Sequence, residues 1–170
     1  LLMNNNNVSV RAELSSPGVY MALISGMMSY FGQATITLDG IDYAYDPGLG
    51  SVVINCALGT HNYIVTPEDV TKAIVRGSVN VTSTTDKTFV EVKISAARKI
   101  EMYVIDATPE QNTIDDASVT LDGETKTTID GYVVFDRKAI NKNYAYTISK
   151  TGYGTVTGTA NLVTADLVIT

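Results

Sequence analysis

The sequence predicts an all-β protein: two tandem antiparallel β-sandwich modules behind a short N-terminal arm. Three observations carry that expectation. The word Ala34-Thr35-Ile36-Thr37-Leu38-Asp39-Gly40 recurs as Ala117-Ser118-Val119-Thr120-Leu121-Asp122-Gly123, identical at five of seven positions. Residues alternate polar and apolar in Thr35–Leu38, Ser118–Leu121 and Val90–Ile94, which puts Ile36/Leu38, Val119/Leu121 and Val90/Val92/Ile94 each on one face of a strand with a wet opposite side. Asp39-Gly40, Asp122-Gly123 and Asp130-Gly131 each follow an apolar residue, and Asp-Gly readily adopts the positive-φ pair that closes a tight hairpin.

Taken in chain order, residues 1–16 read as a polar arm, with Asn4–Asn7 at one end and the Ser15-Ser16-Pro17 break at the other. Module one spans 17–99 and opens on the apolar run Val19–Phe31, read as a strand followed by a loop. The repeat continues around its core word. Val19-Tyr20-Met21-Ala22 falls on Met102-Tyr103-Val104-Ile105, Asn62–Thr66 on Tyr144–Ile148, and Gly77–Val81 on Gly158–Leu162. A unit this long is a whole domain rather than a solenoid repeat. Between the last two words, Thr66 as N-cap, Pro67 at the first helical position and the acids Glu68 and Asp69 predict one helical turn over 67–73. Strand character resumes at Ile74–Val79. The junction Ala96–Ile100 lacks Gly and Pro, so a short, stiff connection is expected. Module two spans 100–170 with seven strand-like runs: 101–106, 117–121, 124–128, 132–135, 143–149, 155–163 and 166–170. Seven short strands with turn signals about every 8–12 residues suggest a sandwich of the immunoglobulin-like sort.

Composition excludes several functions. The net charge is −6 with no Lys/Arg cluster, so a phosphate backbone is repelled and nucleic acid is not an expected partner. No stretch approaches the ~20 apolar residues of a membrane-spanning helix, and no basic n-region of a signal peptide precedes an apolar run. The one cysteine, Cys56, sits in the strand-like Val52–Leu58 and reads as an inert, packed thiol rather than a metal ligand.

Laid out this way, residues 100–170 resemble the carboxypeptidase regulatory-like and PEGA-type β-sandwich families. The resemblance rests on an initial strand (Met102–Asp106), the Ala117–Gly123 word, Thr127–Phe135 with its Asp-Gly-Tyr step, Tyr144–Ile148, and the pair Gly152-Tyr153 within Lys150–Tyr153. Module one shares only the leading word. The resemblance implies stalk, spacer or ligand-contact modules of cell-surface and phage-virion proteins, which is a fold-level analogy.

No candidate residue leads to a catalytic, cofactor or metal site. His61 has no nucleophile-elbow context near it and reads as a surface or interface histidine. Asp39, Asp42 and Asp46, and Asp115 and Asp116 with Asp122, could offer oxygens to calcium but lack the spacing of a calcium loop, so turn chemistry is expected of them. A Lys–Asn isopeptide needs a buried lysine, and alternation puts Lys93 and Lys126 on the wet face. Tyr43/Tyr45 and Tyr144/Tyr146 each project to one side at period two, either as an exposed contact surface or lining the core edge. Thr155, Thr157 and Thr159 form a solvated strand surface. The expected function is a non-enzymatic structural subunit of an extracellular assembly, a virion component first and a cell-surface adhesion or carbohydrate-contact module second. Neighbouring subunits are the expected partners, with a surface glycan as an additional candidate. Docking is expected of module one, through its arm and the apolar Met27–Phe31 loop.

Overall fold

The computed structural model describes residues 16–170, so all of the expected arm except Ser16 lies outside the described residues. The described chain is all-β, without a helix. Its first half forms β1 (Gly18–Ser25), β2 (Met28–Ser29), β3 (Ala34–Leu38), β4 (Ile41–Tyr45), β5 (Ser51–Asn55), β6 (Gly59–Pro67), β7 (Val75–Val81) and β8 (Lys87–Lys93). The second half forms β9 (Ala97–Tyr103), β10 (Ser118–Leu121), β11 (Glu124–Thr127), β12 (Tyr132–Ala139), β13 (Lys142–Ser149), β14 (Val156–Leu162) and β15 (Leu167–Ile169). Every one of the seven runs expected in module two is a strand, displaced by a few residues at its ends.

The sheets repeat strand for strand. β4-β3-β6-β7 faces β5-β1-β8 in the first half; β11-β10-β13-β14 faces β12-β9-β15 in the second. Among the described strands, only β2, which pairs with the end of β1, has no counterpart. Each half encloses its own core. Met21, Leu23, Ile36, Ile54 and Val65 fill the first, and Ile100, Met102, Leu121, Phe135 and Leu162 the second. One feature of both sandwiches departs from an antiparallel plan: β8 runs parallel to β1, and β15 to β9. Both strands arrive from the opposite sheet, so no hairpin dictates their direction.

The Asp-Gly turns set the register. Leu38 pairs with Ile41 and Leu121 with Glu124 across two-residue turns, where Asp39 and Asp122 take φ of 48° and 50° and both following glycines take 83°. Pairing then carries Tyr63 of β6 onto Gly77 of β7, and Tyr146 of β13 onto Gly158 of β14. In both pairs the ring lies so close over the glycine that a Cβ there would collide with it. This corrects the sequence alignment of β6 with β13, which is slipped by one residue. Tyr63 corresponds to Tyr146 rather than to Ala145, and His61 corresponds to Tyr144.

The helical turn expected over 67–73 is absent. Thr66 and Pro67 pair with Thr35 and Ala34 as the end of β6, and the Asp69 carboxylate accepts the Thr71 N–H and hydroxyl, closing a turn instead. The expected loop after Ser25 is a hairpin that places Met28–Ser29 back on β1.

Module two's first strand begins at Ala97, three residues ahead of the expected boundary, and the connection from β8 is only Ile94–Ala96. The two sandwiches meet end to end there. Lys72 bridges Ala96, the Ala97 N–H donates to the Thr71 carbonyl at 2.8 Å, and the Ile74 N–H to the Arg137 carbonyl at 3.0 Å. A bulge in β12 between Phe135 and Lys138 makes this possible. Arg137, at φ 54°, turns out of the strand and donates to the carbonyls of Lys72 (3.0 Å), Pro67 (2.6 Å) and Asp69 (3.2 Å). Arg137→Ala leaves these acceptors without their charged donor. The expected loss is about 1.5–3 kcal/mol in urea unfolding, with the two sandwiches then melting as separate calorimetric transitions.

Candidate functional site

The sequence-selected acids hold turns, one cross-strand pair and two ion pairs. Asp42 accepts the Thr37 hydroxyl, Asp46 the Gly48 N–H, and Asp115 the Gly131 N–H. Asp116 lies 3.9 Å from the Lys150 ammonium, and Asp122 2.7 Å from that of Lys142. Among the described residues, no three His, Cys, Asp or Glu side chains converge as a metal site. Cys56 follows β5 and is half-buried against the first core, which raises its thiol pKa first through burial. Thr155, Thr157 and Thr159 are exposed as expected.

His61, expected at a surface or interface, is instead buried, and it acts as a clamp between β6 and the Asp39 turn. Its Nδ1 meets Asp39 Oδ2 at 2.5 Å and its Nε2 meets the Ala57 carbonyl at 2.9 Å, so both ring nitrogens face acceptors and the imidazolium is favoured. The Asp39 hydrogen bond, reinforced by Ala57, raises the His61 pKa above its ordinary 6.5. The His61 hydrogen bond, reinforced by the Asn62 N–H, lowers Asp39 below 3.8. Module two solves the same problem differently. Tyr144 takes the position of His61, and Lys142 supplies the cation to Asp122 while lying over the Tyr144 ring.

A second charged cluster was not legible in the sequence. Lys138 is only 5% exposed, and its ammonium meets Glu124 at 2.5 Å above the Phe135 ring. Glu124 also faces Lys126 at 3.5 Å and, from module one, Arg76 at 3.7 Å. Burial pushes the Glu124 carboxyl up, but the Lys138 hydrogen bond and the surrounding positive charge outweigh it and its pKa is lowered. Burial lowers the Lys138 pKa, and Glu124 only partly restores it. The expectation that Lys126 lies on the wet face is corrected here. Lys126 is half-buried, donates to the Val134 carbonyl at 2.8 Å and sits over Phe135. Lys93 is exposed, as alternation requires.

Of the two readings of the tyrosine pairs, lining of the core edge is the one the structure shows. Tyr45 and Tyr144 are buried, and Tyr43 and Tyr146 pack on the two cores. Exposed aromatics lie on the outer faces of the β5-β1-β8 and β12-β9-β15 sheets, besides Phe31 and Tyr153 in loops. Tyr20 stacks on Phe89 at 5.8 Å beside exposed Val53. Tyr103 packs on Tyr132 at 5.0 Å, beside exposed Val168 and the Lys99–Glu101 pair, with the Tyr132 hydroxyl on Glu101 at 2.9 Å. Alternation alone marks Tyr20 and Tyr103 as outward, because Val19, Met21 and Met102 point in. A third exposed set, Met27, Met28 and Phe31, follows β1.

A cleft of about 650 Å³ lies at the end of module two away from the junction. Met102, Val104, Ile114, Tyr146, Ile148 and Ile169 line it, with Asp106, Lys150 and Tyr153 also on its wall. It is the opened end of the second core.

No protein-family model matches the chain, and no curated protein matches it. Among solved structures, the Bacillus anthracis TIE protein superposes with a TM-score of 0.39 and 15% sequence identity. That match covers 92% of this chain, which spans about a third (34%) of the other's length.

Two outcomes follow from the charged clusters. His61, with its raised pKa, stabilises below its unfolded pKa and loses that contribution as pH rises through its folded value. Asp39, with its lowered pKa, loses its own as pH falls through its folded value. Chemical denaturation of the wild type will therefore show module one weakening as pH climbs from 6 past the His61 pKa. His61→Gln should flatten that limb. Glu124→Gln strands the buried Lys138 ammonium and should cost about 3 kcal/mol. Adding Lys138→Met to it should recover most of the loss in the same assay; a double variant as weak as the single one would contradict the pairing.

Proposed function

We propose that this chain is a non-enzymatic structural subunit of an extracellular assembly, a virion component in the first instance. The observation that carries the reading is the junction. Two copies of one sandwich are stacked end to end, and a bulge aims Arg137 at three carbonyls of the neighbouring module. Flexible tethers do not need such a device, whereas a spacer that must hold its length does. The polar side chains that sequence singled out serve turns and ion pairs, which also favours a scaffold over a catalyst. The outer-face aromatics give such a subunit rigid amphipathic contact area. Quantitative mass spectrometry of salt-washed particles and of the soluble fraction from the producing cells tests this. The chain should be stoichiometric in the particles; recovery solely as a free soluble monomer would refute the reading.

A second reading, adhesion through a glycan, draws on Tyr103 and Tyr132 flanked by Glu101 and Lys99, where a ring face and hydrogen-bonding groups adjoin. A glycan array on which Tyr103→Ala loses a hit shown by the wild type would favour it.

A further inference from the structure

Stacking the two sandwiches gathers cations that the sequence keeps apart. A pocket of about 400 Å³ opens between the modules, toward the lower end of the roughly 300–1,000 Å³ of small-molecule sites. Module one lines it with Arg76 of β7, Lys93 of β8 and Ser95. Module two adds Lys138 near the end of β12, with Asn141 and Lys142 at the turn into β13. Ile74, Ile140 and Tyr144 give the pocket an apolar wall, and Asp122 is the one carboxylate on its lining. Neither sandwich makes this site by itself, because the positive side chains come from both.

The charges around this pocket do not balance. Lys142 meets Asp122 at 2.7 Å; Lys138 meets Glu124 at 2.5 Å, with Lys126 at 3.5 Å from the same residue. Arg76 reaches Glu124 only at 3.7 Å, beyond hydrogen-bond range. Lys93 is exposed and has no ion-pair partner among the described residues. Five of the chain's 12 Lys and Arg therefore surround two of its 18 acids, in a molecule of net charge −6. These cations feel one another: burial lowers the Lys138 pKa first, and the charges of Arg76 and Lys126 push it the same way. A lining of this kind complements a multiply charged oxyanion. A phosphate monoester brings about −1.5 to −2 charges and three acceptor oxygens that face opposite walls at once, whereas a carboxylate brings one charge in one plane. Arginine can meet such a group through two N–H donors and lysine as a point charge.

We propose that the junction pocket binds a phosphate group, free or as the monoester end of a larger molecule, with Arg76 and Lys93 of module one and Lys142 of module two as its charged donors. Ser95 and Asn141 supply uncharged donors beside them. Lys138, only 5% exposed and held by Glu124, contributes its field rather than a contact. The bound group offsets the repulsion that stacking the modules creates and spans the junction from one sandwich to the other. This site goes beyond the structural-subunit reading and stands without it.

Titration of the isotopically labelled full chain with inorganic phosphate, followed by NMR at an ionic strength held constant with sodium chloride, tests it. Saturable shifts should appear at the amides of Lys93, Ser95, Asn141 and Lys142. Lys93→Gln changes an exposed side chain and should weaken binding about ten-fold. Lys150→Gln makes the same charge change at the far end of module two and should leave the affinity within about two-fold, since salt screens it. Asp122→Asn removes the one lining carboxylate and releases Lys142, so it should tighten binding, a gain that mere damage to the fold does not give. Shifts that do not saturate, or equal losses in Lys93→Gln and Lys150→Gln, would overturn the proposal, as would acetate binding as tightly as phosphate. Glycerol 3-phosphate in a parallel titration separates the sources: tighter binding than inorganic phosphate marks a carried monoester, and equal or weaker binding marks the free ion.

Discussion

Register is the constraint on which the rest of this molecule depends. With a side-chain period of two, a strand displaced by one residue turns its whole apolar set to solvent. The Asp-Gly turns after Leu38 and Leu121 leave no room for that displacement, since two residues with positive φ close each hairpin. β6 and β13 then inherit their register from β3 and β10, and the Tyr63–Gly77 and Tyr146–Gly158 pairs lock the next strand over. The ring covers backbone that a glycine leaves bare, and the glycine supplies space that no other residue would. The same pair recurs at the same place in both halves, so the duplicated unit is the sandwich together with its locks.

A main difference between the halves lies at the junction. The bulge in β12 inserts one residue, and that residue has two consequences. It swings Arg137 toward the carbonyls of module one, and it reverses the alternation so that Lys138 points inward against Glu124. Arg76 of module one reaches the same Glu124, so charge as well as hydrogen bonding crosses the interface. Buried ion pairs contribute little net stability but strongly penalise loss of one partner. Here that penalty ties the geometry of module two's edge to the presence of module one.

Much of this was legible in the residues, for physical reasons that can be named. The strands of module two, the hairpin turns and the duplication follow from alternation and from Asp-Gly, both of which act locally. The helical turn at 67–73 was misjudged because Pro67 and two acids suit a helix start equally well as a strand end followed by an Asx turn, and pairing of β6 with β3 decided it. Alternation alone puts Lys126 on the wet face and gives no signal for Lys138, because Lys126 folds over the Phe135 ring of another strand and Lys138 turns inward only through the bulge in its own. The histidine was noticed, but its partner was not: Asp39 is 22 residues away and meets it only once β3 and β6 pair. The tyrosine pairs were placed on the correct strands, and the faces they take depend on which side the opposing sheet covers.

The central claim is that two copies of one sandwich form a single stiff rod, set by the contacts of Arg137 with the preceding module. Residual dipolar couplings measured for both modules in one weakly aligned sample test it most directly. The account predicts that a single alignment tensor, in the orientation given by this structure, fits the amides of residues 18–94 and 97–169 together. Two tensors of clearly different magnitude, as for modules that tumble independently, would contradict it.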